Sequence, residues 1–280
     1  MARLSWLPLL LLLSAAGARA DVWEKTYPLT GRPELHAETK DGSVRIETWD
    51  RNALGVRLVT RRWHIRPGSL EIEQHQHGNR IDLRVLERHP WISFGFSFRS
   101  IQVEIHVPRE ADLDLLTGDG SVTVQSVAGN ITLHTADGVI TADDVRGDVA
   151  LTSGDGAIVA TRFDGRLHVR TGDGRVALEG RFDGLDLTSG DGRVAAVARA
   201  GSRIGDGWSI ETGDGPVSVG IPATLDAELD VHTDDGRIDC DLPVRISGRL
   251  GRREVHGDLN RGGRPLRIRT GDGSIHIGAS

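Results

Sequence analysis

A short phrase recurs in this chain at a fixed interval of 18 residues. It reads Thr or Ser, a small residue, Asp, Gly, any residue, then Val or Ile. The five central copies place Asp at 119, 137, 155, 173 and 191, each followed by Gly at 120, 138, 156, 174 and 192. The hydroxyl two residues earlier keeps step as Thr117, Thr135, Ser153, Thr171 and Ser189. A fixed period of this length is the signature of stacked repeats, because one unit cannot bury its own apolar face and needs neighbours to do so.

Apolar pairs follow the same period. Val122/Val124, Ile140/Ala142, Ile158/Ala160, Val176/Leu178 and Val194/Ala196 come just after Asp-Gly. Ile131/Leu133, Val149/Leu151, Leu167/Val169 and Leu185/Leu187 come half a repeat later. Members of a pair are two residues apart, so they share one face of a strand. Each 18-residue coil therefore holds two short strands, and the inward positions align as columns. A second corner recurs as Val127-Ala-Gly129, Val145-Arg-Gly147 and Phe163-Asp-Gly165, and slips by one residue at Phe182-Asp-Gly184. The spacing predicts an all-β fold, a single-stranded parallel β-solenoid of about 18-residue coils. At the Asp-Gly corners, Gly is expected to supply a positive φ and Asp to bond nearby backbone N–H groups.

Further copies lie at Asp214-Gly215, Asp235-Gly236 and Asp272-Gly273, with spacings of 23, 21 and 37. Residues 198–207 and 245–265 read as loops expelled from the coil. One more copy, Asp41-Gly42, stands 78 residues before Asp119. The segment 51–108 lacks the period but alternates as strands, and reads as an N-terminal β cap that covers exposed backbone. The chain divides into a leader at 1–20, a cap with the first repeat-like strands at 21–110, and solenoid repeats at 111–280.

The leader has a positive start at Arg3, an apolar stretch from Leu4 to Ala16, and small residues at Ala18 and Ala20. This is the pattern of a cleaved export signal, with cleavage after Ala20. The apolar stretch is short of the about 20 residues a spanning helix needs. The expected product is extracytoplasmic, periplasmic or secreted, with no transmembrane anchor after cleavage. Loss of Arg3 and Arg19 takes the formal charge from −6 to −8. An acidic surface argues against nucleic acid, which selects basic grooves. Cys240 is the only cysteine, so no internal disulfide forms and stability rests on packing.

The chain resembles the bacterial secreted "putative adhesin" family, a domain of unknown function. The resemblance is carried by Asp41-Gly-Ser-Val-Arg-Ile-Glu-Thr-Trp-Asp50, by Val103-Glu-Ile-His-Val-Pro108, and by the repeats from Thr117 to Ile275. It implies an exported β-solenoid, and it offers no catalytic residues to carry over.

Several residues are candidates for chemistry. The column of Asp119, Asp137, Asp155, Asp173 and Asp191 stacks carboxylates that suit a hard cation such as calcium. Calcium β-rolls place Asp two residues before the inward side chain, whereas here it stands three before. Turn chemistry at each Asp-Gly is the better reading, with no cofactor. A polysaccharide-active enzyme would need paired carboxylates, and the non-repeated acids include Asp143, Asp144, Asp183, Asp186 and Asp206. None forms a recognisable phrase. Trp91, Ile92, Phe94, Phe96 and Phe98 form an apolar strip that would mark a partner contact if exposed, or cap core if buried. His75 and His77 share a strand face but are too few to hold a metal. Arg175, Arg193 and Arg237 follow Asp-Gly directly and suggest an outward ladder for acidic glycans. The expected function is non-catalytic, adhesin-like binding or cell-envelope scaffolding, with an envelope, surface or glycan ligand. A polysaccharide-active β-helix enzyme and a calcium-stabilised β-roll are the alternatives.

Overall fold

The computed structural model describes residues 20–61, 64–87, 100–205 and 207–280, with backbone alone at 20 and 245–250. The leader up to residue 19, the Trp91–Phe98 strip and Asp206 lie outside the described residues. Described strands number 23, all hydrogen-bonded into one sheet, and no helix occurs among the described residues.

The sheet folds into two stacks that face each other across the core. In the first stack the central strands are Asp112–Thr117, Ala128–Thr135, Arg146–Ser153, the later half of Ile158–Thr171, the later half of Val176–Ser189, and Trp208–Thr212. The second stack holds Val122–Gln125, Ile140–Asp143, the early halves of the two long strands, Val194–Ala198 and Val217–Ile221. Neighbours in these central regions pair in parallel. The register is the predicted 18-residue offset, Ile131 to Val149 to Leu167. The slip at the second corner is real: Gly165 sits opposite Phe182, and Leu167 returns to Leu185. An aromatic column fills the core beside it. Phe163 stacks on Phe182 at 5.6 Å, and Phe182 meets Trp208 edge-on at 6.0 Å.

Both ends depart from the expected all-parallel solenoid, so the sheet is mixed. At the N-terminal end, Glu34–Thr39 and Ser43–Thr48 stack directly on Asp112–Thr117 and Val122–Gln125. The chain then travels outward. Arg80–Glu87 and Ser100–Val107 form the next layer in parallel. Beyond them lie the antiparallel strands Leu70–His77, Ala53–Arg61 and Ala20–Pro28. These strands of 51–108, together with the first strand, form the N-terminal end of the sheet.

At the C-terminal end the layers do not follow chain order. Pro265–Thr270 and Ile275–Ala279 lie between Trp208–Ile221 and the coil made by Ala227–Thr233 and Ile238–Cys240. The Asp272 corner thus stacks on Asp214, and Asp235 is outermost. Residues 245–265 are not an expelled loop. Val244–Leu250 and Glu254–Leu259 form an antiparallel hairpin closing the first stack, because Val255 and Leu259 are buried against its last coil.

Glycine serves the Asp-Gly corner for a different reason than expected. None of Gly120, Gly138, Gly156, Gly174, Gly192, Gly215, Gly236 or Gly273 has a positive φ. Each lies against the carbonyl of the preceding layer's glycine, and a Cβ there would overlap that oxygen. The left-handed positions fall at the second corner instead, at Ser126, Asp144, Arg162, Gly147 and Gly165.

Buried hydroxyls complete the ladder. Thr39, Thr117, Thr135, Ser153, Thr171, Ser189, Thr212, Thr233 and Thr270 are all buried. Thr135 Oγ1 donates to Gly118 O at 2.8 Å or Gly120 O at 3.2 Å, and accepts the Gly138 N–H at 3.0 Å. Ser153 and Thr233 repeat this arrangement. A buried polar group needs such partners because leaving it bare costs about 1–3 kcal/mol.

Candidate functional site

The stacking dictates where each predicted residue goes. The Asp column is exposed at the first corner, with Asp41, Asp119, Asp137, Asp155, Asp173, Asp191, Asp214, Asp272 and Asp235 in that spatial order. The carboxylates of Asp137, Asp155, Asp173, Asp191 and Asp214 lean onto the next coil. A Cβ on Gly172 would meet Asp155 Oδ1 at 2.7 Å, and one on Gly213 would meet Asp191 Oδ1 at 2.8 Å. Asp173 and Asp214 accept the N–H of Asp191 and Asp272 at 3.4 Å. That contact explains the glycine before Asp155, Asp173, Asp191, Asp214 and Asp272, for which the sequence pattern alone offered no reason.

The arginine ladder is broken. Arg175 and Arg193 are on adjacent coils, but Pro216 and Ser274 stand between Arg193 and Arg237. His75 and His77 are exposed near the end of the outermost strand, opposite Asp82 and Arg80. Cys240 is half-buried, and burial pushes its thiol pKa up, away from the reactive thiolate.

Of the acids singled out for catalysis, Asp143, Asp144 and Asp183 are held in ion pairs along the second corner, and Asp186 lies in the strand beyond it. Asp143 accepts the Thr161 hydroxyl at 2.6 Å and pairs with Arg162. Asp144 accepts the Ser126 hydroxyl at 3.1 Å, and Asp186 lies 3.4 Å from His168. Arg181 bridges Asp164 and Asp183, the latter at 2.6 Å, and Arg203 adds a second partner to Asp183 at 3.2 Å. The Arg181 guanidinium holds the Asp183 carboxyl below its usual range, and the two acids raise the Arg181 pKa in turn. Paired in this way, Asp183 stays ionised and is a poor proton donor.

Two shallow clefts flank this charged corner. One, of about 540 Å³, has Gly129, Gly147 and Gly165 as its floor and Arg32, Arg146, Arg166, Glu110 and Asp148 at its sides. The other, of about 640 Å³, lies among Asp144, Arg162, Glu179, Arg181 and Arg199. The glycine floor follows from the fold, since Cβ atoms on Gly147 and Gly165 would overlap the carbonyl of the coil before. The walls alternate in sign, because Arg146 aligns with Asp164 and Asp148 with Arg166 on the next coil. Arg146 is 3.6 Å from Asp144 and mostly exposed, so its guanidinium is open to a ligand. The sequence shows this corner as a turn but not as a site; the signal was Arg146-Gly147-Asp148 followed one coil later by Asp164-Gly165-Arg166.

A third cleft, of about 510 Å³, lies on the outer face of the first stack near its N-terminal end. Leu86, Leu116, Lys40, Glu87 and His134 line it. Burial pushes the Glu87 carboxyl up to about 7, with the neighbouring Asp41 carboxylate adding to the rise.

The profile of Toastrack DUF4097 matches residues 33–278, nearly the whole described fold. The chain belongs to the Toastrack DUF4097 family. Among solved structures, this Toastrack chain is similar to a "putative lipid binding protein" from Parabacteroides distasonis at 13% identity. That alignment covers 93% of this chain and 97% of the other, with a TM-score of 0.46. It is also similar to a "putative cell adhesion protein" from Clostridium sporogenes, at 11% identity, 94% and 100% coverage and a TM-score of 0.36. A "putative adhesin" from Bacteroides fragilis aligns at 9% identity, 92% and 97% coverage and a TM-score of 0.39. No curated protein matches. Among the described residues of the Toastrack fold, no group of three or more His, Cys, Asp or Glu side chains is placed to share a metal ion.

Proposed function

We propose that this chain is an exported, non-catalytic binding or scaffolding protein of the cell envelope, and that its second corner is the binding surface. The observation that carries this is the glycine-floored cleft walled by Arg32, Arg146, Asp148 and Arg166. Parallel strands lie about 4.8 Å apart, so 13 strands in the first stack make a rod roughly 58 Å long. A rod of that kind presents a long face with a repeated glycine floor, Gly129, Gly147 and Gly165, which fits an extended ligand better than a small substrate. The acids beside the cleft are tied to arginines, which suits a surface that holds charge rather than one that moves protons. Acidic glycans and other envelope polymers are the ligand class, bound through guanidinium groups such as Arg146.

The test is binding of the purified chain to immobilised envelope fractions and a glycan panel, beside an Arg146→Ala/Arg166→Ala variant and a Phe94→Ser/Phe96→Ser variant. Saturable binding lost in the arginine variant supports the corner as the site. Loss in the phenylalanine variant alone moves the site to the 91–98 strip. Absence of binding by all three overturns the binding role, and release of reducing sugars from any polysaccharide overturns the non-catalytic one.

A further inference from the structure

Both ends of the first stack are strand edges with no partner strand among the described residues. The N-terminal edge is Leu70–His77, eight residues long, and the C-terminal edge is Val244–Leu250, seven residues long. Edges of that length are normally blunted by charge, a bulge or a covering element. Here the charges are sorted by end. The first edge carries Glu71 and Glu73 and neither Lys nor Arg, while the second carries Arg245 and Arg249 and no acid.

That sorting discriminates between modes of pairing. Two N-terminal edges would set Glu against Glu, and two C-terminal edges would set Arg against Arg. Like charges directly opposite are destabilising, and opposite charges are favourable. One N-terminal edge against one C-terminal edge is the combination both rules allow. The existing registers extend the argument one strand further in. Glu73 is opposite Arg84, whose guanidinium lies 3.2 Å from Glu38. In the other edge Arg245 is opposite Asp258. Joining the ends in sequence gives Glu38, Arg84, Glu73, Arg245, Asp258, an unbroken alternation of sign. Strand direction agrees as well. Leu70–His77 runs against the central strands, and Val244–Leu250 runs with them, so the junction is antiparallel like the pairs on either side of it.

We propose that copies of this chain join head to tail, Leu70–His77 of one against Val244–Leu250 of the next, to extend the first stack. The second stack adds little, because its end strands, Ala20–Pro28 and Ile238–Cys240, are nine and three residues long. Such a contact uses two different surfaces, so it does not close on itself as a dimer does and grows into an open series. This assigns a partner to the scaffolding reading and rests on it. Self-association is measured without any envelope component, so its failure is distinct from a failure to bind envelope polymers.

The experiment is sedimentation velocity of the purified chain over a concentration series at low ionic strength and at about 0.5 M salt, where charges are screened beyond about 4 Å. The expected result is a series of species that lengthens with concentration and collapses towards monomer in salt. Two charge reversals sharpen it. A Glu71→Arg/Glu73→Arg variant has two basic ends, and an Arg245→Glu/Arg249→Glu variant has two acidic ends. Each alone should be monomeric, and their equimolar mixture should regain the series. If either reversal does not fold, Glu73→Gln and Arg249→Gln take its place, with an expected drop in association of at least about tenfold from the loss of a charge pair. A wild-type chain that stays monomeric at every concentration, or a mixture of folded variants that stays monomeric, overturns the proposal.

Discussion

The Thr135 hydroxyl lies 3.2 Å from the Gly120 carbonyl of the neighbouring coil while it accepts the Gly138 N–H of its own. One side chain thus ties two layers and closes a turn. Replacing Thr135 with Val keeps the shape and removes the hydroxyl, which leaves buried backbone groups bare. A loss of about 1–3 kcal/mol is expected in urea unfolding, and Thr135→Ser should recover most of it.

Gly156→Ala should be more damaging than its one methyl suggests. A Cβ there would overlap the Gly138 carbonyl oxygen and come within 2.6 Å of its carbon and 2.7 Å of Ser153 Oγ. The backbone cannot yield without separating the coils, so a cost of about 2–4 kcal/mol is expected in denaturant melts. Gly78→Ala is the contrast. Gly78 has a positive φ but nothing within 4 Å of the added atom, so strain alone should cost about 1 kcal/mol.

Leu151 and Leu167 are 1% and 0% exposed in adjacent coils. An Asp at either place puts an unpaired carboxylate in the core, and neutralising it by protonation is itself costly. Both variants should fail to give a cooperative thermal transition. A melt like that of the wild type would mean that these columns do not face inward.

Glu87 makes stability depend on pH near neutrality. Its folded pKa of about 7 is above the ordinary 4.5, so the folded chain holds this proton more tightly than the unfolded one. The contribution is full below about pH 4.5 and is lost as pH rises through about 7. Half-exposure screens the effect, which leaves on the order of 1 kcal/mol. A Glu87→Gln variant keeps an oxygen to accept the Asp41 N–H, and its stability between pH 5 and 8 should be flatter than that of the wild type.

If the leader is removed after Ala20, the exported chain starts on Asp21. Its carboxylate accepts the Ile65 N–H at 3.2 Å and lies 3.3 Å from His64 Nδ1. Mass spectrometry of the protein recovered from an exporting host should find Asp21 first. A longer mature chain would refute the assigned cleavage.

The middle of the fold was legible because its signal is redundant. Apolar pairs, hydroxyls and Asp-Gly corners all repeat at one interval, and even the slip at Phe182 shows as a displaced phrase. The ends were not legible, for a definite reason. Spacing along the chain says how many coils a segment fills, but not which neighbour each coil chooses. The 36 residues between Asp235 and Asp272 hold a hairpin, and they return the chain to the inner side of the coil it had just built.

Val244, Val255 and Leu259 are spread thinly among Gly and Arg, so the hairpin reads as a loop. The role of glycine was misjudged because composition favours the turn explanation, while the close approach of two carbonyl-bearing layers appears only in three dimensions. The ionic corner escaped notice because Arg and Asp on a surface usually mean no more than solubility. Their pairing across coils, as in Arg166 with Asp148, is a matter of register.

The last strand in the chain, Ile275–Ala279, is flanked on one side by Val217–Ile221 and on the other by Ile238–Cys240. A similar inversion at the other end puts the Asp41 coil inside the layer that follows it in sequence. An ordinary tandem array gains or sheds units at its termini, one at a time. In this arrangement the last strand lies in an inner layer, and trimming the final coil would pull out an inner course rather than an outer one. Lengthening is therefore confined to the middle. A duplicated 18-residue unit between Asp119 and Asp191 slides in without disturbing either end, so relatives of different length should differ by whole coils there.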